Sequence, residues 1–378
     1  MRVALTCNYP VDPTVVPGGV TAVAHYLVRG LTRLPGLDLH VVCCQTDVDH
    51  DREEERDGAT IHFLSTNGRF AQILNERIER RKMSRVIRRI RPDLVHSEGL
   101  GLPTAAVRDA GLPHGVTLHG ITWKEASIHH PSWVKELRGR IRARRHLAQI
   151  RWADNVFITS GYAAQMLPPG KEYRRFVINN PIGEEIFAIR NEPGPPHVLF
   201  VGGTRHRKDP LTAIRAFERA TRDLPDATLH VVGPASGTPF DDEVARFVAS
   251  CGLGERVRIL GLVPDEVLRR EYERATLLLL TSVEETAPVA LGESHAVGIP
   301  AVGTDAGGIP WMIREGETGF VRPVGDVEGL AERIHTLLTD AELRARLAAG
   351  ARRVGEEEYS LDRIARKTVD AWGEILGG

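Results

Sequence analysis

Short runs of β-branched and aliphatic residues alternate along the chain with longer stretches whose apolar positions recur every three or four residues. That alternation is the pattern of parallel strands joined by crossover helices. Residues 2–7, 38–44, 93–96, 114–118 and 153–158 read as strands of a first sheet, and residues 197–201, 227–232, 256–259, 275–280 and 299–302 as strands of a second. Between the two sets, residues 191–196 (NEPGPP) hold three prolines and one glycine and resist both helix and strand. The pattern therefore predicts an α/β protein of two doubly wound domains, residues 1–190 and 191–359. A last segment, 361–376, has helical periodicity but follows no new strand, so residues 360–378 are expected to pack back on the first domain. The acidic run DREEERD at 51–57 reads as a solvated loop.

A length of 378 residues, with 42% apolar and 26% charged residues, suits two globular cores and leaves little room for a third. The four cysteines lack zinc-ligand spacing. The apolar run at the N-terminus is too short for a signal-peptide core, and no stretch approaches a membrane span, so a cytoplasmic protein is expected. Residues 1–185 carry 26 Lys and Arg against 20 Asp and Glu, and the remainder 23 against 30, which makes the first half the basic one. Its arginine-rich helical stretches, 77–92 and 134–151, read as solvated faces in a chain that uses 43 arginines and six lysines. Peripheral contact with anionic lipid is the less favoured reading. No basic motif interleaved with aromatics speaks for nucleic acid.

Candidate chemistry gathers in the second half. Between Glu285 and Glu293 stand seven residues, and a helix is predicted to begin near Ala287, Pro288 and Val289. The start of such a helix offers backbone N–H groups and a positive dipole end to a phosphate, and carboxylates can accept hydrogen bonds from sugar hydroxyls. Upstream, the strand-like HVLFV breaks into Gly202 and Gly203 and then Arg205, Arg207 and Lys208, groups suited to holding a diphosphate. In the first half, Gly18 and Gly19 lead from a loop, VPGG at 16–19, into a helix without completing the dinucleotide fingerprint. His119 stands at the carboxyl end of a predicted strand, where open α/β sheets place ligands.

The run Thr281-Ser282, Glu285, Glu293, Gly298, Pro300, Gly307, Gly308, Gly316 and Gly319 resembles the retaining GT-B glycosyltransferases of the family 4-like group. That group includes glycogen synthase and bacterial mannosyl- and N-acetylglucosaminyltransferases. Lesser matches at Ser160, Asn180, Gly233 and Gly261 extend the resemblance over nearly the whole chain.

The resemblance implies two Rossmann-like domains facing each other across a cleft, a nucleotide diphosphate sugar as donor, and retention of anomeric configuration. It implies that Glu293 holds the ribose hydroxyls, that Glu285 lies nearer the sugar, and that His119 touches the donor sugar. Gly18, Gly19, Gly203, Lys208, Gly261 and the segment Ala287, Pro288 and Val289 are implied to line the donor. The family's arginine position is occupied by Gly203, so Arg205 or Arg207 must substitute, and Arg205 is preferred because it is nearer the glycine turn. No Asp-x-Asp motif stands where a diphosphate would need a metal, so no metal and no cofactor are expected. A uridine carrier is the default, and the acceptor, whether small molecule, sugar phosphate, lipid or glycan, is not identified. A retaining phosphorylase, a nucleotide-sugar epimerase and a catalytically silent binding module stay open as alternatives on the same architecture.

Overall fold

The computed structural model describes residues 1–12, 18–66, 76–125 and 133–377, apart from the side chains of 133–135. It divides into two compact units, Met1–Pro181 with Leu361–Gly378, and Ile182–Ser360. The division precedes the expected linker at 191–196, which instead belongs to the second unit. Ile182 is fully buried there and its N–H bonds the Tyr359 carbonyl at 2.9 Å. Asn191 is tied down as well, its Nδ2 donating to the carbonyls of Tyr272, Glu273 and Ala275 at 2.9–3.2 Å.

The first unit is built on eight strands: β1 (Arg2–Thr6), β2 (Asp38–Gln45), β3 (Arg52–Arg56), β4 (Ala59–Ser65), β5 (Leu94–Glu98), β6 (His114–Leu118), β7 (Asn155–Ile158) and β8 (Arg174–Val177). Their order is β3-β4-β2-β1-β5-β6-β7-β8, parallel except for the β3–β4 hairpin. The acidic run is thus an edge strand and not a loop. Asp57 and Gly58, at φ 54° and 78°, close a two-residue turn in the left-handed region that an Asp-Gly pair favours. Alternation does the rest: Glu53 and Glu55 face solvent, while Arg52 and Arg56 lie over the Phe63 ring at 4.6 and 5.3 Å. Charged residues suit an edge that must not pair with another chain.

The helix Leu361–Gly377 belongs to this unit and packs on the helix Gly19–Leu31. A side chain at Gly30 would meet the Leu361 carbonyl oxygen at 3.0 Å, so the two helices approach closely at a glycine. Trp372 is fully buried in the same apolar cluster as Val3, Leu5 and Phe157.

The second unit carries β9 (His197–Val201), β10 (Thr228–Val232), β11 (Val257–Gly261), β12 (Leu277–Leu280), β13 (Ala301–Thr304) and β14 (Gly319–Arg322). All pairs are parallel, in the order β11-β10-β9-β12-β13-β14. Helices cover both faces, which is why a continuous run such as Leu277–Leu280 is buried at every position. The order reverses between β9 and β12 here, and between β1 and β5 in the first unit. At such a switch point neighbouring loops leave the sheet in opposite directions and open a crevice at the carboxyl ends of the strands. No helix among the described residues is long and apolar enough to cross a membrane.

Candidate active site

In the second unit the loops that follow β9 and β12 meet at the switch point. The β9 loop turns through Gly202 and Gly203 and ends in a single helical turn, His206–Lys208. Asp209, at φ 48°, then caps the helix Pro210–Ala220 by accepting from the Thr212 N–H at 3.2 Å. The β12 loop is laced to it. Thr281 donates its hydroxyl to the Asp209 carbonyl at 2.7 Å, and Val283 N–H donates to the Arg207 carbonyl at 2.9 Å.

Held this way, Lys208 Nζ lies 2.5 Å from Glu285 Oε1 and Arg207 3.1 Å from Glu285 Oε2, while Ser282 donates its hydroxyl to Oε1 at 3.1 Å. The side chains of Arg207, Lys208 and Glu285 are 29%, 14% and 6% exposed, so the cluster is largely withdrawn from water. Burial alone would raise the Glu285 pKa, but Lys208, Arg207 and the Ser282 hydroxyl more than reverse it and keep the carboxylate ionised. The three groups themselves, two cations and one carboxylate, sum to one positive charge. The helix Val289–Val297 starts beside it after Pro288, with no side chain capping its N-terminus. A net cation and an uncapped helix start make a place able to receive an anion.

Arg207 is therefore the arginine that joins Lys208, against the expectation for Arg205, whose side chain is exposed and forms no hydrogen bond or ion pair with the described residues. The reason Gly203 cannot carry the arginine itself is steric. At φ 68°, a side chain there would meet the Pro234 carbonyl oxygen at 2.0 Å, because the backbone crosses Gly233 and Pro234 at contact distance. The aliphatic stem of Lys208 also runs over Gly202, where a Cβ would lie 2.9 Å from Cγ and Cδ. Gly261, at the end of β11, accepts the Gly233 N–H at 2.9 Å and so supports the same crossing.

Glu293 lies farther along the helix and is buried, with the Tyr272 hydroxyl donating to Oε2 at 2.7 Å. Burial raises its pKa, partly offset by the Tyr272 hydrogen bond and reinforced by the charges of Asp265 and Glu185. The two glutamates thus sit in opposite environments: Glu285 is pinned by cations, and Glu293 keeps acceptor capacity that one hydroxyl does not exhaust. No motif pointed to Tyr272, which is an ordinary buried residue of an amphipathic helix in sequence terms.

In the first unit, His119 follows β6 directly and its Nε2 donates to Glu98 Oε2 at 2.5 Å. Glu98 is the last residue of β5, beside the switch point, and is buried. Desolvation opposes its charge, but the hydrogen bonds from His119 and His96 hold its pKa far below the usual carboxylate range. A lone charged residue ending the run LVHSE was the available signal, and sequence reasoning passed over it. Gly18 and Gly19 open the helix Gly19–Leu31 after β1, and among the described residues no atom lies within 4 Å of where a Cβ at Gly18 would stand. Val16 and Pro17 of that loop lie outside the described residues. Ser160 has a local task, accepting from the Ala163 N–H at 3.3 Å as the cap of a short helix.

Among the described residues one further group has metal-ligand geometry, His197, His230 and Glu271. Arg274 already occupies it, donating to His230 Nδ1 at 2.8 Å and to Glu271, so the cluster is a closed network neutralised by a guanidinium.

Fold and site define a protein of two Rossmann-like units, the second carrying an Arg-Lys-Glu cluster and an uncapped helix start at its switch point. The family model described as "Glycosyl transferases group 1" matches residues 182–354, and "Glycosyltransferase Family 4" matches residues 17–185. Side by side these account for nearly all of the chain, and it belongs to this family of glycosyltransferases. N-acetyl-alpha-D-glucosaminyl L-malate synthase of Bacillus anthracis is 28% identical over 179 residues, 47% of this chain and 45% of that protein. The match therefore spans less than half the length of that curated relative. In three dimensions the chain is similar to sucrose-phosphate synthase from Thermosynechococcus elongatus (TM-score 0.78, 19% identity, 100% of this chain and 99% of the other). It is similar also to Anabaena Alr3699/HepE in complex with UDP and glucose (TM-score 0.75, 17% identity, 99% of each chain). Identities this low bear on the fold alone, which is that of the GT-B glycosyltransferases.

Proposed function

We propose that the chain is a retaining glycosyltransferase that moves a sugar from a nucleotide diphosphate carrier, a UDP-sugar by preference, to an acceptor hydroxyl. The observation that carries this reading is the Arg207–Glu285–Lys208 cluster at the β9/β12 switch point, a single net positive charge with an uncapped helix start beside it. In the reaction the bond between the anomeric carbon and the diphosphate oxygen breaks, the acceptor oxygen bonds that carbon and releases its proton to solvent, and the nucleotide diphosphate leaves with additional negative charge. Fixed cations stabilise that charge most where it develops. Lys208 and Arg207 meet the requirement without rearrangement, because Glu285 and the β12 loop already hold them in place.

Glu293 is assigned the ribose hydroxyls, for which its unused acceptor positions suit it, and Glu285 the sugar side of the crevice. His119 in the first unit is assigned to the transferred sugar. Binding of UDP and glucose by the HepE structure favours a uridine carrier and a hexose. The charge of the diphosphate is balanced by Arg207 and Lys208 in place of a divalent cation.

A thermal-shift screen against nucleoside diphosphates and their sugars tests the reading, since a donor that binds only the folded state raises the melting temperature. A shift for UDP and a UDP-sugar, followed by release of UDP that persists in excess EDTA, is the expected result. Absence of any shift across all carriers, with the protein folded, would overturn it.

A further inference from the structure

The strongest unassigned feature is a hydrogen-bonded chain in the first unit that ends on His119 and begins on the final helix. Trp372 Nε1 lies 2.8 Å from His96 Nδ1. An indole N–H can only donate, so His96 Nδ1 must be the accepting, unprotonated nitrogen and the ring proton must sit on Nε2. His96 Nε2 is 2.7 Å from Thr117 Oγ1 and 3.0 Å from Glu98 Oε1. The Thr117 hydroxyl in turn donates to Glu98 Oε1 at 3.1 Å. Every donor thus points toward Glu98 Oε1, and Oε2 is left for His119 Nε2 at 2.5 Å.

The arrangement fixes the tautomers. With the Trp372 N–H on Nδ1, the ring proton of His96 is held on Nε2. His119 meets the same carboxylate from the other side, at Oε2. Its Nε2–H is committed to Glu98, and its Nδ1, which has no partner among the described residues, is the nitrogen left for a ligand. All four side chains lie in one unit, and Glu98, His96 and Trp372 are buried, so the chain does not depend on solvent to hold its direction.

We propose that Trp372, His96 and Glu98 are positioning residues that fix the tautomer and orientation of His119, so that the returning C-terminal helix contributes to the reaction through one indole N–H. This rests on the assignment of His119 under the proposed function. It also gives the return of helix Leu361–Gly377 a role beyond filling the core: a phenylalanine at 372 would serve packing but not the chain.

Two measurements test it. Long-range nitrogen–proton correlation spectra of histidine-labelled wild-type protein read tautomers without any substrate. The expected result is the Nε2–H form for both His96 and His119, a mixed His96 in Trp372→Phe, and a mixed His119 in Glu98→Gln. A wild-type His119 with its proton on Nδ1, or averaging between forms, overturns the proposal. Kinetics supply the second arm. Trp372→Phe should lower kcat about fivefold, the worth of one neutral hydrogen bond, with the donor KM nearly unchanged. In the Glu98→Gln background the same substitution should cost nothing further, since both act through one group. Full additivity of the two substitutions would overturn the proposal, because a purely structural role for Trp372 persists whether or not Glu98 is charged. Absence of donor turnover in the wild type would instead sink the glycosyltransferase reading, leaving the tautomer spectra to decide the positioning chain.

Discussion

Replacing Lys208 by methionine keeps most of the stem that covers Gly202 and removes the ammonium 2.5 Å from Glu285. Two effects separate. The first is on stability: a carboxylate that is almost fully buried loses one of two cationic partners, and breaking a buried pair from one side costs about 3 kcal/mol. For a unit the size of Ile182–Ser360 that is roughly a 6–12 °C loss in melting temperature. The second is on the reaction. The crevice falls from one net positive charge to none, just where the leaving diphosphate gains charge, and kcat should drop about a hundredfold, as on removal of one electrostatic donor. The double variant Lys208→Met/Glu285→Gln tells the two apart. Neutralising both partners removes the uncompensated buried charge, so the melting temperature should recover most of its loss, while kcat stays low, since Arg207 restores the net charge but neither the ammonium of Lys208 nor the carboxylate of Glu285 is in place. Steady-state release of the nucleotide, measured beside thermal melts of all three proteins, is the assay. Near wild-type kcat in a folded Lys208→Met variant would refute the electrostatic reasoning.

Arg207→Ala should lower kcat by an order of magnitude or more, because Arg207 shares Glu285 with Lys208, whereas Arg205→Ala should stay within about twofold; steady-state kinetics of both variants checks the ranking, and the reverse order would restore Arg205. Glu293→Ala should weaken nucleotide binding about ten- to a hundredfold in titration calorimetry, the worth of hydrogen bonds to a charged acceptor, and an unchanged Kd would remove the ribose assignment. His295 is fully buried, neither ring nitrogen has a partner among the described residues, and burial, with the charge of Arg314 behind it, holds its pKa down to about 4 from 6.5. The unfolded chain therefore takes up a proton first. The stability contributed by neutral His295 is complete above the unfolded pKa of 6.5 and is lost as pH falls toward 4, by about 3 kcal/mol in all. Urea melts of His295→Leu at pH 7 and pH 4.5 should show a smaller loss on acidification than the wild type, and an equal loss would place the acid sensitivity elsewhere.

The sites differ in how far they could be read in advance, and the difference follows the range of the interactions. Glu285, Glu293, Gly203 and Lys208 stand in short segments whose order along the chain carries their meaning, because each loop is tethered directly to the strand before it. The choice between Arg205 and Arg207 lay two residues apart in one loop, and proximity to the glycine turn favoured Arg205, whereas the fold sets Arg207 beside Glu285. Only the lacing of that loop to the β12 loop, through Thr281 and Val283, turns Arg207 toward Glu285. The edge strand at 52–56 was masked by its charge, although the Asp-Gly pair that closes its hairpin was in plain view.

Two α/β units, most of the strands that build them and the carboxyl-end loops that bear the candidate chemistry follow from local pattern, since strand and helix periodicity is set within a few residues of chain. Tertiary structure alone decided what meets across long sequence separations. It set the boundary at Pro181/Ile182, where burial of Ile182 against the Tyr359 turn outweighs the prolines that follow. It closed Gly203 to any side chain by crossing it with Gly233. It also brought Trp372 to His96, 276 residues away. No periodicity encodes such a contact, because it arises from the docking of one helix on a completed sheet, and the hydrogen bond it makes is directed only once both partners are buried.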